Sequence, residues 1–87
     1  MTGEDAATSA PLTETVVDAS GLACPMPVIE LARAVERVPV GGRVRLLATD
    51  PAARVDVPVW CRMQRHRLHH HEQDATGRHC FLVERAH

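Results

Sequence analysis

Aromatic residues are almost missing from this chain. Trp60 and Phe81 are the only two, and tyrosine is absent. A surface that stacks nucleic-acid bases needs several aromatic faces, so that class of function is excluded. Lysine is also absent: all ten basic residues are arginine, and the formal net charge is −1. Binding driven by phosphate neutralisation needs an excess of positive charge, which is not here. We read the arginine-for-lysine bias as codon usage in a GC-rich genome rather than as phosphate recognition. The three cysteines are an odd number at irregular spacing and contain no Cys-x-x-Cys pair. They form neither a disulfide framework nor a thioredoxin-type dithiol, and they suit a reducing compartment with a functional thiol. No apolar run reaches membrane-spanning length, and the start lacks the basic and apolar regions of a signal peptide. A cytoplasmic location is the expectation.

What is present makes one small domain. The 87 residues are near the lower limit for a self-sufficient core. Residues 1–13 are small, polar and aperiodic, and read as a disordered tail. Residues 14–87 hold all the periodic pattern.

The chemistry is concentrated in Asp18-Ala19-Ser20-Gly21-Leu22-Ala23-Cys24-Pro25-Met26-Pro27. A strand pattern leads in and a helix pattern leads out. Proline is favoured at the first helical position, so Cys24 reads as the N-cap and Pro25 as the first helical residue. Neither Pro25 nor Pro27 has an N–H, which leaves the amides of Met26 and Val28 to face the sulfur. With the helix dipole they should hold a thiolate, bringing its pKa to about 7 from the free value near 8.5. Gly21 supplies a backbone freedom that a β-carbon would resist. Cysteines ahead of helices are often buried hydrophobes. A Cys-Pro-Met-Pro turn, however, fills a core poorly and aims a sulfur well.

The remaining elements follow in order. Glu14–Ala19 reads as a β-branched strand. Val28, Leu31, Ala32 and Val35 form the apolar stripe of a helix that Pro39 ends. Arg43–Thr49 alternates as a second strand. Asp50-Pro51 repeats the cap-then-proline signature, and Asp56 with Pro58 repeats it again. We therefore expect one turn after Pro51, then a helix from Val57 to Gln64 re-capped by Asp56. Cys61 falls on its packed face. Arg67–Glu72 and His79–Arg85 read as a hairpin around Gln73–Arg78. The strand–helix–strand–helix–strand–strand order predicts both helices on one face of a sheet whose first two strands are parallel. Cys24, Asp50 and Asp56 should then cluster at the carboxyl edge of those strands.

These motifs resemble the TusA (SirA-like) family of small sulfur carriers. The matching residues are Asp18, Gly21-Leu22, Cys24-Pro25-Met26-Pro27, Asp50-Pro51, Asp56-Val57-Pro58, Trp60-Cys61, His66 and Phe81-Leu82-Val83. The resemblance covers Glu14 to Arg85. It implies a two-layer α/β (α+β) sandwich with a mixed four-stranded sheet in order 1-2-4-3 and two helices on one face. It implies that Cys24 is the catalytic residue, holding sulfur as a persulfide, with Gly21, Pro25, Met26 and Pro27 in support. The implied partners are a cysteine desulfurase or rhodanese-like donor and a downstream acceptor protein, in tRNA thiolation, molybdenum-cofactor synthesis or sulfur oxidation. A monomer is implied, without membrane or direct nucleic-acid contact. Such exchange needs neither metal nor nucleotide cofactor. Sulfur passes through stoichiometrically and the protein returns unchanged, so whether it counts as an enzyme is a matter of definition. Two positions depart from the pattern: Ser20 stands where arginine is common, and Arg65 where glycine is common before the histidine. Asp50 and Asp56 read as helix caps, and His66 as structural.

Two other readings are open from the residues. Six histidines include the run His69-His70-His71. If the hairpin centres between Ala75 and Thr76, then His69, His71 and Cys80 share a face and make a three-ligand set for zinc or copper. A polar edge strand is the plainer explanation of the same run. A thiol-based regulatory module would need a resolving cysteine near Cys24, and Cys61 and Cys80 are both poorly placed for that.

Overall fold

A computed structural model describes residues 14–87; the stretch read above as a disordered tail, 1–13, lies outside the described residues. Six elements follow one another: β1 (Glu14–Ala19), α1 (Met26–Arg37), β2 (Arg43–Ala48), α2 (Ala53–Gln64), β3 (Arg67–Gln73) and β4 (His79–Glu84). The sheet order is β1-β2-β4-β3. β1 and β2 are parallel, and β4 is antiparallel to both β2 and β3. This is the expected two-layer mixed sandwich. α1 packs on β1 and β2, α2 on β3 and β4.

Strict alternation along β2 and β4 sets the layers. Val44, Leu46 and Ala48 point to the helices, as do His79, Phe81 and Val83. Leu31, Ala34 and Val35 of α1 and Ala53, Val57 and Cys61 of α2 close over them. Phe81, the larger contributor of the two aromatics, is fully buried at the centre. Pro27 is fully buried as well, so one proline of the cysteine turn is an anchor in the core.

The structure moves three local features away from the sequence reading. α1 begins at Met26, with Pro25 at the cap position and Cys24 one residue ahead of it. α2 is one helix from Ala53, not a turn followed by a helix re-capped at Asp56. Its first bonds are short-range, with Ala53, Arg54 and Val55 N–H donating to the Asp50, Pro51 and Ala52 carbonyls. This tight turn runs straight into the α-helix, so no new start is required at Val57. Pro58 sits inside the helix and withholds only one N–H from the ladder.

The third difference is the hairpin register. At its base Leu68 faces Val83 as expected, but a bulge between Leu68 and His70 inserts one residue. From there His70 faces Leu82, His71 faces Phe81 and Glu72 faces Cys80. A one-residue slip sends each following side chain to the other face. His71 therefore turns to the helix side, where its ring stacks on Phe81 at 4.3 Å and its Nε2 lies 3.0 Å from His79 Nδ1. Burial, with His79, Arg54 and His70 nearby, lowers the His71 pKa.

Arg65 is in the left-handed region, with φ of 61°. It ends α2, its own N–H and that of His66 donating to the Arg62 and Cys61 carbonyls. Glycine is the favoured residue at such a helix end because it has no β-carbon to strain. Replacing Arg65 by glycine should stabilise the domain by about 1 kcal/mol, since an L-residue bears roughly that cost in this conformation. Urea unfolding measures it; an unchanged or lower midpoint would mean that the Arg65 side chain contributes more than its backbone strain costs.

Candidate functional site

The carboxyl ends of β1 and β2 open into two loops that lead to the two helices. Each loop is bound to the other. In the first, Ser20 N–H donates to Asp18 Oδ1 at 3.0 Å and Leu22 N–H to the Ala19 carbonyl at 3.1 Å. Gly21 takes a positive φ of 84°, which no β-carbon-bearing residue adopts cheaply. Its N–H then reaches across to Thr49 Oγ1 at 2.8 Å. Three residues on, Cys24 N–H donates to Asp50 Oδ2 at 2.8 Å. The other oxygen of the same carboxylate, Oδ1, accepts from Ala52 N–H at 2.9 Å. Thus Asp50 joins the cysteine loop to the first turn of α2. Its two backbone donors favour the charged form and hold its carboxyl below the usual carboxylate range, the Ala52 bond contributing more than the Cys24 bond.

Of the residues singled out in the sequence, Gly21, Cys24, Pro25, Met26, Asp50 and Asp56 meet at this edge, and Pro27 anchors the turn from beneath. Asp56 does not cap a helix. It lies in the first turn of α2, where its negative charge acts on the Cys24 thiol. Thr49 carries a cross-loop bond that the sequence reading did not assign; a hydroxyl directly before the Asp-Pro pair was its only signal.

Beside Cys24 the two helices leave an open groove of about 250 Å³, lined by Pro25, Val28, Asp56, Val59, Trp60 and Met63. Asp56 is the one charged residue in its wall. Around the cysteine, Leu22, Met26 and Ile29 are each more than a third exposed, and Met63 is 71% exposed at the far side of the groove. Met26 therefore faces outward rather than packing on the strand. Trp60 is partly buried against the core and forms part of the groove wall.

The electrostatics of Cys24 run opposite to the sequence expectation. Its pKa is pushed up to about 11, first by burial of the sulfur, then by the Asp56 carboxylate and the negative charge of Asp50. The anticipated amide cradle does not form either. Met26 N–H is committed to the Ala23 carbonyl at 2.9 Å, a consequence of the helix starting one residue later. At neutral pH Cys24 is therefore a thiol.

The other two cysteines lie elsewhere. Cys61 is buried in α2 at 2% exposure, and its pKa is likewise pushed up to about 11 by desolvation. Cys80 is on the open face of the sheet, its Sγ 3.3 Å from Arg45 Nη1. The three-ligand set does not assemble. His69 binds Glu84, His71 is on the opposite face against Phe81 and His79, and Cys80 is paired with Arg45. The inserted residue at the bulge is the cause. Among the described residues no group of three or more metal-ligating side chains is found, and no helix is long and apolar enough to cross a membrane. His66 packs against Trp60 and His87, at 5.6 and 4.9 Å between ring centroids, and Nδ1 accepts the Ala86 N–H at 3.1 Å. That is a structural role at the far end of α2.

Alkylation reads the state of the thiol. The rate of iodoacetamide modification at the Cys24 peptide should rise about tenfold per pH unit from pH 7 to pH 10, because only the thiolate reacts. A plateau reached between pH 7 and 8 would show instead the low-pKa thiolate that helix position alone suggested.

Comparison with known proteins agrees with this geometry. The family model described as Sulfurtransferase TusA matches residues 15–85. A sulfur carrier protein TusA of Pseudomonas putida (strain GB-1) is 40% identical over 62 residues, covering 71% of this chain and 78% of the relative. One from Pseudomonas fluorescens (strain SBW25) is 39% identical over 69 residues, covering 79% and 82%. The crystal structure of a SirA-like protein from Desulfitobacterium hafniense superposes with a TM-score of 0.75 at 20% identity, covering 84% of this chain and 99% of that one. The shared fold, the cysteine turn and relatives at this level of identity over most of their length lead to one conclusion: the chain belongs to the TusA family of sulfur carriers.

Proposed function

We propose that this protein accepts sulfane sulfur as a persulfide on Cys24 and relays it to a second protein. The observation that carries the reading is the setting of the three thiols. Cys24 stands at a loop edge with exposed Leu22, Met26 and Ile29 around it, while Cys61 is buried and Cys80 is bound to Arg45 on the other side of the sheet. Protein-to-protein sulfur transfer needs one sulfur that a partner's sulfur can approach in line, with apolar surface to dock against.

The transfer is thiol–disulfide exchange applied to sulfane sulfur. The Cys24 thiolate attacks the outer sulfur of a donor persulfide, and the donor cysteine leaves as its thiolate. An acceptor later attacks the outer sulfur on Cys24, and Cys24 leaves. No cofactor enters either step. We assign the donor to the cysteine desulfurases or rhodanese-like proteins, and the acceptor to a carrier or enzyme of tRNA thiolation, molybdenum-cofactor synthesis or sulfur oxidation. The protein acts as a monomer in the cytoplasm and handles no nucleic acid itself, which agrees with its net charge of −1 and two aromatic residues.

Intact-mass measurement tests the assignment. After incubation with a cysteine desulfurase and cysteine, or with thiosulfate and a rhodanese, the protein should gain one reductant-labile sulfur atom. Cys24→Ser should abolish the gain; Cys61→Ser and Cys80→Ser should keep it. Loading that survives in Cys24→Ser, or no loading from either donor, would refute the assignment.

A further inference from the structure

The chain from Ala19 to Leu22 is a β-turn, closed by the bond from Leu22 N–H to the Ala19 carbonyl at 3.1 Å. Gly21, third in the turn, has φ of 84°. Among the described residues other than glycine, only Arg65 has a positive φ, so Ser20 does not. A hydrogen-bonded turn with positive φ at its third position alone is type II. It differs from the commoner type I turn by a flip of the central peptide, here the one between Ser20 and Gly21. The N–H of that peptide is the group that Thr49 Oγ1 accepts at 2.8 Å, from just past the end of β2 and 28 residues along the chain. A flipped peptide would turn this N–H away from Thr49. The Asp18 carboxylate holds the preceding peptide, through Ser20 N–H, and not this one. Gly21 itself permits either sign of φ, and a β-carbon added there would meet no atom within 4 Å, so packing does not choose between them. The Thr49 hydroxyl does.

Three residues after Gly21, the neighbour of Thr49 takes the next bond: Asp50 Oδ2 accepts Cys24 N–H at 2.8 Å. Leu22 and Ala23 are thus the span between two fixed points. Leu22 is exposed on that span, and Cys24 is half-buried at its end. We propose that Thr49 is a positioning residue for sulfur transfer: its hydroxyl holds the Ser20–Gly21 peptide in the type II turn and so presents Leu22 and Cys24 together to a donor protein. This rests on the carrier reading above and adds to it the residue that shapes the docking edge. Without the hydroxyl the turn exchanges between its two peptide orientations. Leu22, next in the chain, moves with the peptide, while Cys24 stays bound to Asp50. The sulfur keeps its chemistry, and a protein donor loses part of the surface against which it aligns its persulfide. The loss therefore falls on transfer from a protein. A small persulfide, which needs only the sulfur, does not sense it.

The full-length protein with Thr49→Val, which keeps the side-chain shape and removes the hydroxyl, tests the role beside Thr49→Ser, which keeps a hydroxyl. At limiting cysteine desulfurase, the rate of gain of reductant-labile sulfur should fall about fivefold to tenfold in Thr49→Val, the effect of losing one hydrogen bond of ordinary net strength. In Thr49→Ser it should stay within about twofold of the wild type, because the acceptor is retained. Loading of Cys24 by glutathione persulfide should be the same in all three proteins. Exchange of the Gly21 amide hydrogen, followed by NMR, should be about tenfold faster in Thr49→Val, with an unchanged circular dichroism spectrum. Undiminished desulfurase loading of folded Thr49→Val overturns the proposal, as does a loss that Thr49→Ser does not recover. Equal slowing with glutathione persulfide overturns it too, since the effect would then lie on the sulfur or the fold and not on presentation. A wild-type Gly21 amide that exchanges as freely as an unbonded one overturns it without any variant. If wild-type protein takes sulfur from neither source, the carrier reading fails and the transfer role with it. A Gly21 amide protected in the wild type and released in Thr49→Val would still show Thr49 holding the turn, so the two failures are distinguishable.

Discussion

One carboxylate holds the working edge of this domain together. Asp50 accepts Cys24 N–H with one oxygen and Ala52 N–H with the other, at 2.8 and 2.9 Å. The cysteine turn has no regular structure of its own, and its two prolines supply no N–H to bind it. Its internal bonds, Leu22 N–H to the Ala19 carbonyl and Met26 N–H to the Ala23 carbonyl, do not engage the Cys24 N–H. Asp50 takes up that N–H from a loop that follows β2 and opens α2, and Thr49 adds a second bond from the same loop at Gly21. The parallel pairing of β1 with β2 brings the two loops side by side. Sheet register, loop position and cysteine position are thus parts of one arrangement.

That arrangement has an electrostatic consequence. Burial of the sulfur comes first, and the charges of Asp56 and Asp50 second, in making Cys24 a thiol that resists ionisation. Beside that thiol runs a largely apolar groove between the two helices. Exposed Met26 and Met63 suit such a surface, because unbranched thioether side chains adapt to different partners at little cost.

Most of the fold was legible because its determinants are local. The bounds of β1 follow from a short β-branched run before Ser20-Gly21, and the alternation of Val44, Leu46 and Ala48 fixes the inward face of β2. Element order then dictates a parallel first pair, and the position of Cys24 near Asp50 and Asp56 follows from topology alone. What was not legible depends on one-residue details. A bulge near His69 has no turn residue to mark it, yet it decides which histidines share a face. The start of α1 moved by one residue, and with it the Met26 amide that was expected at the sulfur. Asp56 read as a cap because Asp-x-Pro is a sound local signal; its effect on Cys24 depends on how two helices pack. The groove is likewise a product of that packing, since Pro25 and Val28 come from one helix end and Val59, Trp60 and Met63 from the other helix.

The coupling through Asp50 is open to direct observation. In a pH titration followed by amide NMR, the Cys24 and Ala52 N–H signals should move together, as both donate to the same carboxylate. Their common midpoint should lie below the ordinary aspartate value of 3.8, because the two bonds favour the ionised form. The shared movement should vanish in Asp50→Asn. A Cys24 amide that does not follow the Ala52 titration, or that titrates unchanged without the Asp50 carboxylate, would contradict the account.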